Sequence, residues 1–125
     1  MSLKAGDIIT FERTFTVRDV ELFTEISGDE GIHHITPDEQ GRLVIQGLLT
    51  ATLPTKIAGD NNVLARSTSF EFLRPVFTGD TIVCTVKIEK YERQENNRTA
   101  FVASFLCKNQ NEKEVLKGDV SGVIL

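Results

Sequence analysis

Cysteine is scarce in this 125-residue sequence, which contains only Cys84 and Cys107. Two cysteines so far apart do not make a zinc-binding motif, and both lie in segments where apolar residues alternate with others. We therefore expect small buried thiols in a reducing compartment. A chain of this length buries roughly two thirds of its unfolded surface, so its fold requires neither a disulfide nor a structural metal.

Long apolar runs and clustered positive charge are also missing. No apolar run approaches the ~20 residues that a helix needs to span a bilayer, and the first fifteen residues lack the apolar core of a signal peptide. The formal net charge is -4, and the lysines and arginines are scattered, which argues against binding to nucleic acid or an anionic membrane. These features predict a single soluble domain over residues 1–125, located in the cytoplasm, with neither nucleic acid nor membrane as a partner.

Two helices are predicted in the N-terminal half of the chain. The first follows Thr16, which forms a box-like helix start with Asp19, and its apolar residues keep helical spacing until Gly28. Residues 44–58 predict a second helix that is apolar nearly all round and is therefore buried on most sides. Pro54 should kink this helix or end it, because proline has no N–H to donate.

Strands dominate the rest of the sequence. In the segment TIVCTVKIEKY the residues Ile82, Cys84, Val86 and Ile88 alternate with outward-facing positions, which is the pattern of a sheet with one buried face. Turn signals between the later strands predict hairpins and hence an antiparallel sheet. The whole indicates an α+β domain in which a long, curved antiparallel sheet wraps around a central apolar helix. The predicted strands cover residues 7–16, 63–76, 81–93, 98–110 and 114–125.

Both histidines of the chain, His33 and His34, lie side by side in a polar loop predicted over residues 29–42, directly before the apolar helix. Loops of this length in a small domain are often functional. Histidine titrates near neutral pH and can give or take a proton, so at least one of the two is a candidate acid–base group. The alternatives are that the histidines are ordinary exposed loop residues and that Asp29 belongs only to the turn that ends the first helix.

A family resemblance adds to this interpretation. The order of elements, the Gly-Leu-Leu at residues 47–49 and the string FEFLRPVFTGDTI at residues 70–82 resemble the hotdog fold. Within that fold the chain resembles the MaoC-like dehydratases, a group that includes (R)-specific enoyl-CoA hydratases and hydroxyacyl dehydratases. The group carries its catalytic aspartate and histidine in a loop of the form Gly-Asp-x-Asn-Pro-Ile-His, and a later His-Gly pair opens the central helix.

The resemblance implies that Asp29 and His34 are the catalytic pair, because His34 has the family's spacing from the aspartate. His33 is the alternative imidazole. The sequence departs from the family's pattern at residues 31–32, where Gly-Ile stands in place of Asn-Pro. The implied chemistry is the syn hydration of a 2-enoyl thioester, or its reverse, with Asp29 and His34 acting on one water.

The resemblance also assigns a role to the start of the central helix. Gly47 matches the helix glycine, so its N–H and the neighbouring Gln46 and Leu48 are implied as the oxyanion and substrate-binding groups. Gln46 replaces the family's histidine at its position. From the residues alone, Gly47 can equally serve close helix packing, and Gln46 can cap the helix or bind a substrate amide.

The resemblance further implies the partners and the cofactor requirement. The thioester carrier is coenzyme A or a carrier protein, and no metal or redox cofactor is expected. Because hotdog domains usually pair through sheet edges, a homodimer or larger homo-oligomer is implied, and a long strand such as residues 81–93 would favour such pairing if it were left as an edge. Two other functions stay open, a hotdog acyl-CoA thioesterase and a non-catalytic acyl-thioester binding module.

Overall fold

The computed structural model describes residues 3–125, which form a five-stranded antiparallel sheet and several short helices. The strands are Ile8–Thr14 (β1), Val63–Phe72 (β2), Thr81–Arg93 (β3), Thr99–Lys108 (β4) and Glu114–Ile124 (β5). Their order in the sheet is β1-β3-β4-β5-β2. The helices are Val17–Ser27 (α1), Ile32–Ile35 (α2), Gly47–Thr50 (α3) and Thr52–Asp60 (α4), and a 3₁₀ turn covers Glu95–Asn97.

The predicted ends of α1 are confirmed. The Thr16 hydroxyl accepts a hydrogen bond from the Asp19 N–H at 3.2 Å, and the Asp19 carboxylate accepts one from the Thr16 N–H at 2.9 Å. This is a complete capping box. Gly28 ends the helix in the left-handed conformation, with φ of 72°, which glycine adopts without a Cβ penalty. The chain therefore leaves α1 at a fixed point, directly before Asp29.

The predicted alternation of the sheet is confirmed in β3 and β4, where every second side chain faces the core. Cys84 and Cys107 lie opposite each other on these two strands, and both are buried. A hydrogen bond with Cys84 and burial together raise the pKa of Cys107 far above its ordinary value. The thiol therefore stays protonated and unreactive, as expected of a small buried cysteine.

The long strand β3 is not an edge of the sheet. The structure places β3 inside the sheet, between β1 and β4, while β1 and β2 form the two edges. Alternation within a strand does not reveal its neighbours, because the strand order depends on the crossover connections of the whole chain. Residues 81–93 are therefore paired on both sides and offer no free edge to a second copy.

The prediction of one helix over residues 44–58 is wrong. Val44 pairs with Phe77 in an isolated β-bridge, and the helical turns that follow are interrupted at Ala51 between α3 and α4. The interruption lies where a proline would cause it, because Pro54 has no N–H for the carbonyl of Thr50, four residues earlier. The helical segments are thus divided at Ala51, three residues before Pro54, while α4 continues through Pro54 to Asp60.

The sheet packs around α4, which contacts β1, β2 and β3. The buried residues of α4 are Leu53, Pro54 and Ile57, and they belong to one core cluster shared with the sheet. Lys56 and Asp60 are exposed and form an ion pair on the other side of the helix. The predicted α+β arrangement is confirmed, but α4 is buried along one face rather than on most sides.

The predicted loop over residues 29–42 contains a helical turn and a tight polar turn. In α2, the N–H of His34 donates to the carbonyl of Gly31 at 2.8 Å. One carboxylate oxygen of Asp38 accepts hydrogen bonds from the N–H groups of Gln40 and Arg42, at 2.9 Å and 2.8 Å. A single helical turn is too short to produce a periodic pattern, which is why the sequence did not indicate α2.

Within residues 3–125, none of the helices has the length and apolar character needed to cross a membrane. The buried apolar side chains form a core cluster to which both the helices and the sheet contribute. That residues 1–125 constitute a single domain stays a prediction.

Candidate active site

A cleft of about 640 Å³ lies between the end of α1, the turn α2, the start of α3 and the segment that follows β2. Large apolar side chains contribute much of its lining, among them Phe23, Ile45, Leu48, Phe72 and Val76. Its ionisable lining residues are Asp29, His33, His34 and Arg74. An apolar cleft with a few converging polar groups is the usual form of a small-molecule site.

His34 is held by the main chain of Val44. Its side chain is only 7% exposed, and Nδ1 lies 2.6 Å from the Val44 carbonyl oxygen. The N–H of Val44 in turn donates to the carbonyl of His33 at 3.0 Å. Because a carbonyl can only accept, Nδ1 of His34 must carry the hydrogen. In the neutral ring, Nε2 is therefore the unprotonated nitrogen.

Asp29 faces this nitrogen from the other side. Its Oδ2 lies 3.5 Å from Nε2 of His34, and its Oδ1 accepts a hydrogen bond from the Gly31 N–H at 3.3 Å. The Ser27 hydroxyl accepts the Asp29 N–H at 3.0 Å. The Asp29 side chain is 50% exposed, so solvent and a ligand can reach the point where the carboxylate and the imidazole meet.

Gly31 leaves room for the two imidazole rings. A Cβ on Gly31 would lie 3.0 Å from Cε1 of His33, 3.2 Å from Cδ2 of His34 and 3.5 Å from Oδ1 of Asp29. The first two distances are tighter than ordinary carbon contacts, so a side chain here would displace the imidazole rings, whereas the contact with Oδ1 of Asp29 would be an ordinary one. The glycine that departs from the Asn-Pro pattern therefore has a clear packing role at the site.

The two histidines differ in their surroundings. The rings of His33 and His34 lie with their centroids 3.9 Å apart and are tilted by 53°. His33 is exposed, and its ring forms no hydrogen bond with the residues that the structure describes. Both rings line the cleft, but of the two only His34 has an oriented nitrogen facing Asp29.

The predicted residues at the start of α3 divide between the cleft and the interior. Gly47 and Leu48 line the cleft, and their N–H groups have no hydrogen-bond acceptor within residues 3–125. A Cβ on Gly47 would lie 2.7 Å from the ring of Phe72, so the glycine also permits close packing. Phe72 is a lining residue that the sequence did not indicate, although it lies in the string that carries the family resemblance.

Gln46 lies behind the cleft instead of in its lining. Gln46 is 1% exposed, and its Nε2 donates a hydrogen bond to the Thr24 hydroxyl at 2.8 Å. It makes no side-chain hydrogen bond that caps α3. Its Oε1 is buried with no hydrogen-bond partner in the described part of the chain, an arrangement that costs roughly 1–3 kcal/mol.

Comparison with known proteins identifies the family. The profile of the family described as FAS1-like, dehydratase domain region matches residues 35–117, which is more than half of the chain. The chain therefore belongs to this family. A curated relative, the mitochondrial 3-hydroxyacyl-[acyl-carrier-protein] dehydratase of Arabidopsis thaliana, is 26% identical over 129 residues, which cover 98% of this chain and 78% of the relative.

Solved structures share the fold. The (R)-hydratase of A. caviae involved in PHA biosynthesis aligns with a TM-score of 0.84 at 22% identity and covers 99% of this chain and 98% of its own. A chain of the C-terminally truncated HadBC (3R-hydroxyacyl-ACP dehydratase) complex of Mycobacterium tuberculosis aligns with a TM-score of 0.71 at 14% identity, covering 98% of both chains. At these identities the structural matches establish the fold.

The predicted family and hotdog fold are confirmed by these matches. The relatives are named as hydratases and dehydratases, which are hydro-lyases, the predicted enzyme class. The family match begins at residue 35, so it includes Gln46 and Gly47 but not Asp29, His33 or His34. The roles of all these residues stay predictions. The predicted cytoplasmic location also stays a prediction, since the curated relative is named as mitochondrial.

The hydrogen bond to Val44 predicts an unusual tautomer for His34. At a pH where the ring is neutral, we expect its ¹⁵N resonances to report hydrogen on Nδ1, whereas the exposed ring of His33 should average over both tautomers. Two-dimensional NMR of ¹⁵N-labelled protein measures this, and the variant His33→Asn assigns the signals. A His34 ring with hydrogen on Nε2 would contradict the described orientation of the site.

Proposed function

We propose that this protein catalyses the syn hydration of a 2-enoyl thioester, or the reverse dehydration of a (3R)-hydroxyacyl thioester. The observation that carries the proposal is the approach of Asp29 Oδ2 and His34 Nε2 to 3.5 Å at the lining of an apolar cleft. The names of the relatives, a 3-hydroxyacyl-[acyl-carrier-protein] dehydratase and an (R)-hydratase, support the same reaction class. Coenzyme A or a carrier protein is the proposed carrier.

The two acceptor atoms suit a single water molecule. One hydrogen of the water can point to Nε2 of His34 and the other to Oδ2 of Asp29, since both atoms accept hydrogen bonds. His34 removes a proton as the water oxygen bonds to C3 of the enoyl group. The same nitrogen then returns a proton to C2, so that H and OH add on one face and the ring regains its starting state. Asp29 stabilises the intermediate imidazolium.

The start of α3 suits the negative charge that develops on the thioester oxygen. The N–H groups of Gly47 and Leu48 are free of other acceptors within residues 3–125, and Gly47 has no Cβ to block an approaching oxygen. N–H groups in the first turn of a helix carry partial positive charge. A donor of this kind is typically worth about 3 kcal/mol of the activation barrier.

The rest of the cleft suits an acyl chain. Apolar side chains such as Phe23, Leu48 and Phe72 offer a lining from which water is excluded when a chain binds. The proposed reaction adds one water molecule across the double bond, and side chains and main-chain N–H groups supply all the assistance that it requires. We therefore propose that it needs no metal or redox cofactor.

We also propose that the protein forms a homodimer through the edge strand β2. This strand has ten residues, and Leu64 and Phe72 on it are each 53% exposed. An unpaired strand edge with apolar side chains favours pairing with a second copy. Sedimentation at micromolar concentration should therefore give a dimer or a larger assembly, and a stable monomer would contradict the proposal.

A spectroscopic assay tests the reaction directly. With crotonyl-CoA as substrate, the purified protein should lower the absorbance of the conjugated thioester without releasing free thiol. The variants Asp29→Asn and His34→Gln should each reduce kcat by about 10²- to 10⁴-fold, because each removes one of the groups that handle the water proton.

The same assay distinguishes the other functions. Thiol release would indicate a thioesterase, and saturable binding without either signal would indicate a non-catalytic binding module. His33→Asn is the matched comparison for His34→Gln, because it alters the neighbouring ring that has no contact with Asp29 Oδ2. The catalytic assignment of His34 fails if His34→Gln retains full activity, and loss of activity in His33→Asn instead would transfer the role to His33.

A further inference from the structure

The Gln46 side chain connects three elements that meet behind the cleft. Its Nε2 donates to the hydroxyl of Thr24 on α1 at 2.8 Å, and a longer bond of 3.5 Å reaches the main-chain carbonyl of Asp29. Gln46 itself directly precedes α3, whose first residue is Gly47. One buried amide therefore contacts the last turns of α1, the loop that carries Asp29 and the start of α3.

The orientation of this amide follows from its partners. The Thr24 hydroxyl already donates its hydrogen to the Val20 carbonyl at 2.8 Å, so toward Gln46 its oxygen can only accept. The Asp29 carbonyl is also an acceptor. The NH₂ end of Gln46 must therefore face both groups, and a rotation of the amide by half a turn would oppose acceptor to acceptor.

This orientation leaves a polar atom unsatisfied. Oε1 of Gln46 is buried and has no hydrogen-bond partner within residues 3–125. Burying an unpaired acceptor is unfavourable, and an apolar side chain of the same length would avoid it. Stability alone therefore does not account for a glutamine at position 46. The two hydrogen bonds that its NH₂ group donates, to Thr24 and to Asp29, do account for it.

One of the two donated bonds reaches the residue that faces His34. Asp29 is held at its side chain, where Oδ1 accepts the Gly31 N–H, and at its main chain, where the carbonyl accepts Nε2 of Gln46. These contacts leave Oδ2 facing His34. We propose that Gln46 is a positioning residue that fixes Asp29 relative to His34 and to the start of α3. The kinetic part of this inference rests on the proposed hydratase function.

Substitution of Gln46 by an apolar residue of similar length tests the inference. Gln46→Met should lower kcat for crotonyl-CoA hydration by about 10- to 100-fold, since small displacements of a catalytic group have effects of this size. KM should stay close to its original value because Gln46 is not part of the cleft lining. Gln46→His, which retains an N–H donor, should recover part of the lost kcat. Gln94→Met is the matched control, because Gln94 is exposed and lies next to the 3₁₀ turn at Glu95–Asn97.

The acceptor side of the contact provides a second pair of variants. Thr24→Val removes the hydroxyl that accepts from Gln46 and should lower kcat in the same manner, whereas Thr24→Ser keeps the hydroxyl and should preserve it. This pair keeps the test decisive if Gln46→Met folds poorly. If both Gln46→Met and Thr24→Val retain the original kcat, or if kcat and KM change together in proportion to lost stability, the positioning role is refuted.

An experiment without substrate separates this inference from the proposed function. Amide hydrogen exchange at Gly31 reports the hydrogen bond to Oδ1 of Asp29, and it should become faster in Gln46→Met but not in Gln94→Met. Unchanged exchange at Gly31 in Gln46→Met would refute the contact, whether or not the protein hydrates crotonyl-CoA. Faster exchange together with an inactive unaltered protein would refute the hydratase proposal and support the contact.

Discussion

The hydrogen bond from Nδ1 of His34 to the carbonyl of Val44 is the contact on which the arrangement of the site depends. The imidazole is buried, and this bond determines which nitrogen carries the hydrogen and directs Nε2 toward Asp29. Val44 can offer its carbonyl because the chain there is extended and bridges Phe77, instead of continuing into the helix. The extended chain at Val44, before α3 begins at Gly47, is thus a requirement of the site.

The remaining elements place the Asp29 carboxylate and the start of α3 around that contact. The capping box starts α1, the left-handed Gly28 ends it directly before Asp29, and Gly31 leaves room for the two imidazole rings that a Cβ there would crowd. The start of α3 lines the same cleft, with the N–H of Gly47 free of other acceptors among residues 3–125. The sheet packs on α4, which follows α3 in the chain after a single residue. The site therefore contains few ionisable side chains, and main-chain groups determine where they lie.

Local signals in the sequence were sufficient for the elements that depend on neighbouring residues. Thr16 and Asp19 specify the start of α1 within four residues, and the alternation of β3 follows from one buried face. The division between α3 and α4 was only partly predictable, because Pro54 acts on a carbonyl four residues earlier. For Asp29 and His34 the prediction came from their spacing and the family resemblance, not from periodicity.

The long-range contacts of the site could not be predicted from the sequence. Val44 contributes a carbonyl to His34, and any residue type has one, so no side chain indicates the role. The partner of Gln46 is Thr24, 22 residues earlier, and a single sequence does not reveal that these two residues meet. The position of β3 inside the sheet depends likewise on how the whole chain crosses over.

The most direct test of the central claim is a double-mutant cycle with Asp29→Asn and His34→Gln in crotonyl-CoA hydration. If the carboxylate and the imidazole act on the same water, removal of either already disables the unit, and the double variant should lose about as much kcat as the more damaging single variant. Losses that multiply would mean that the two residues act independently, and this outcome would contradict the account.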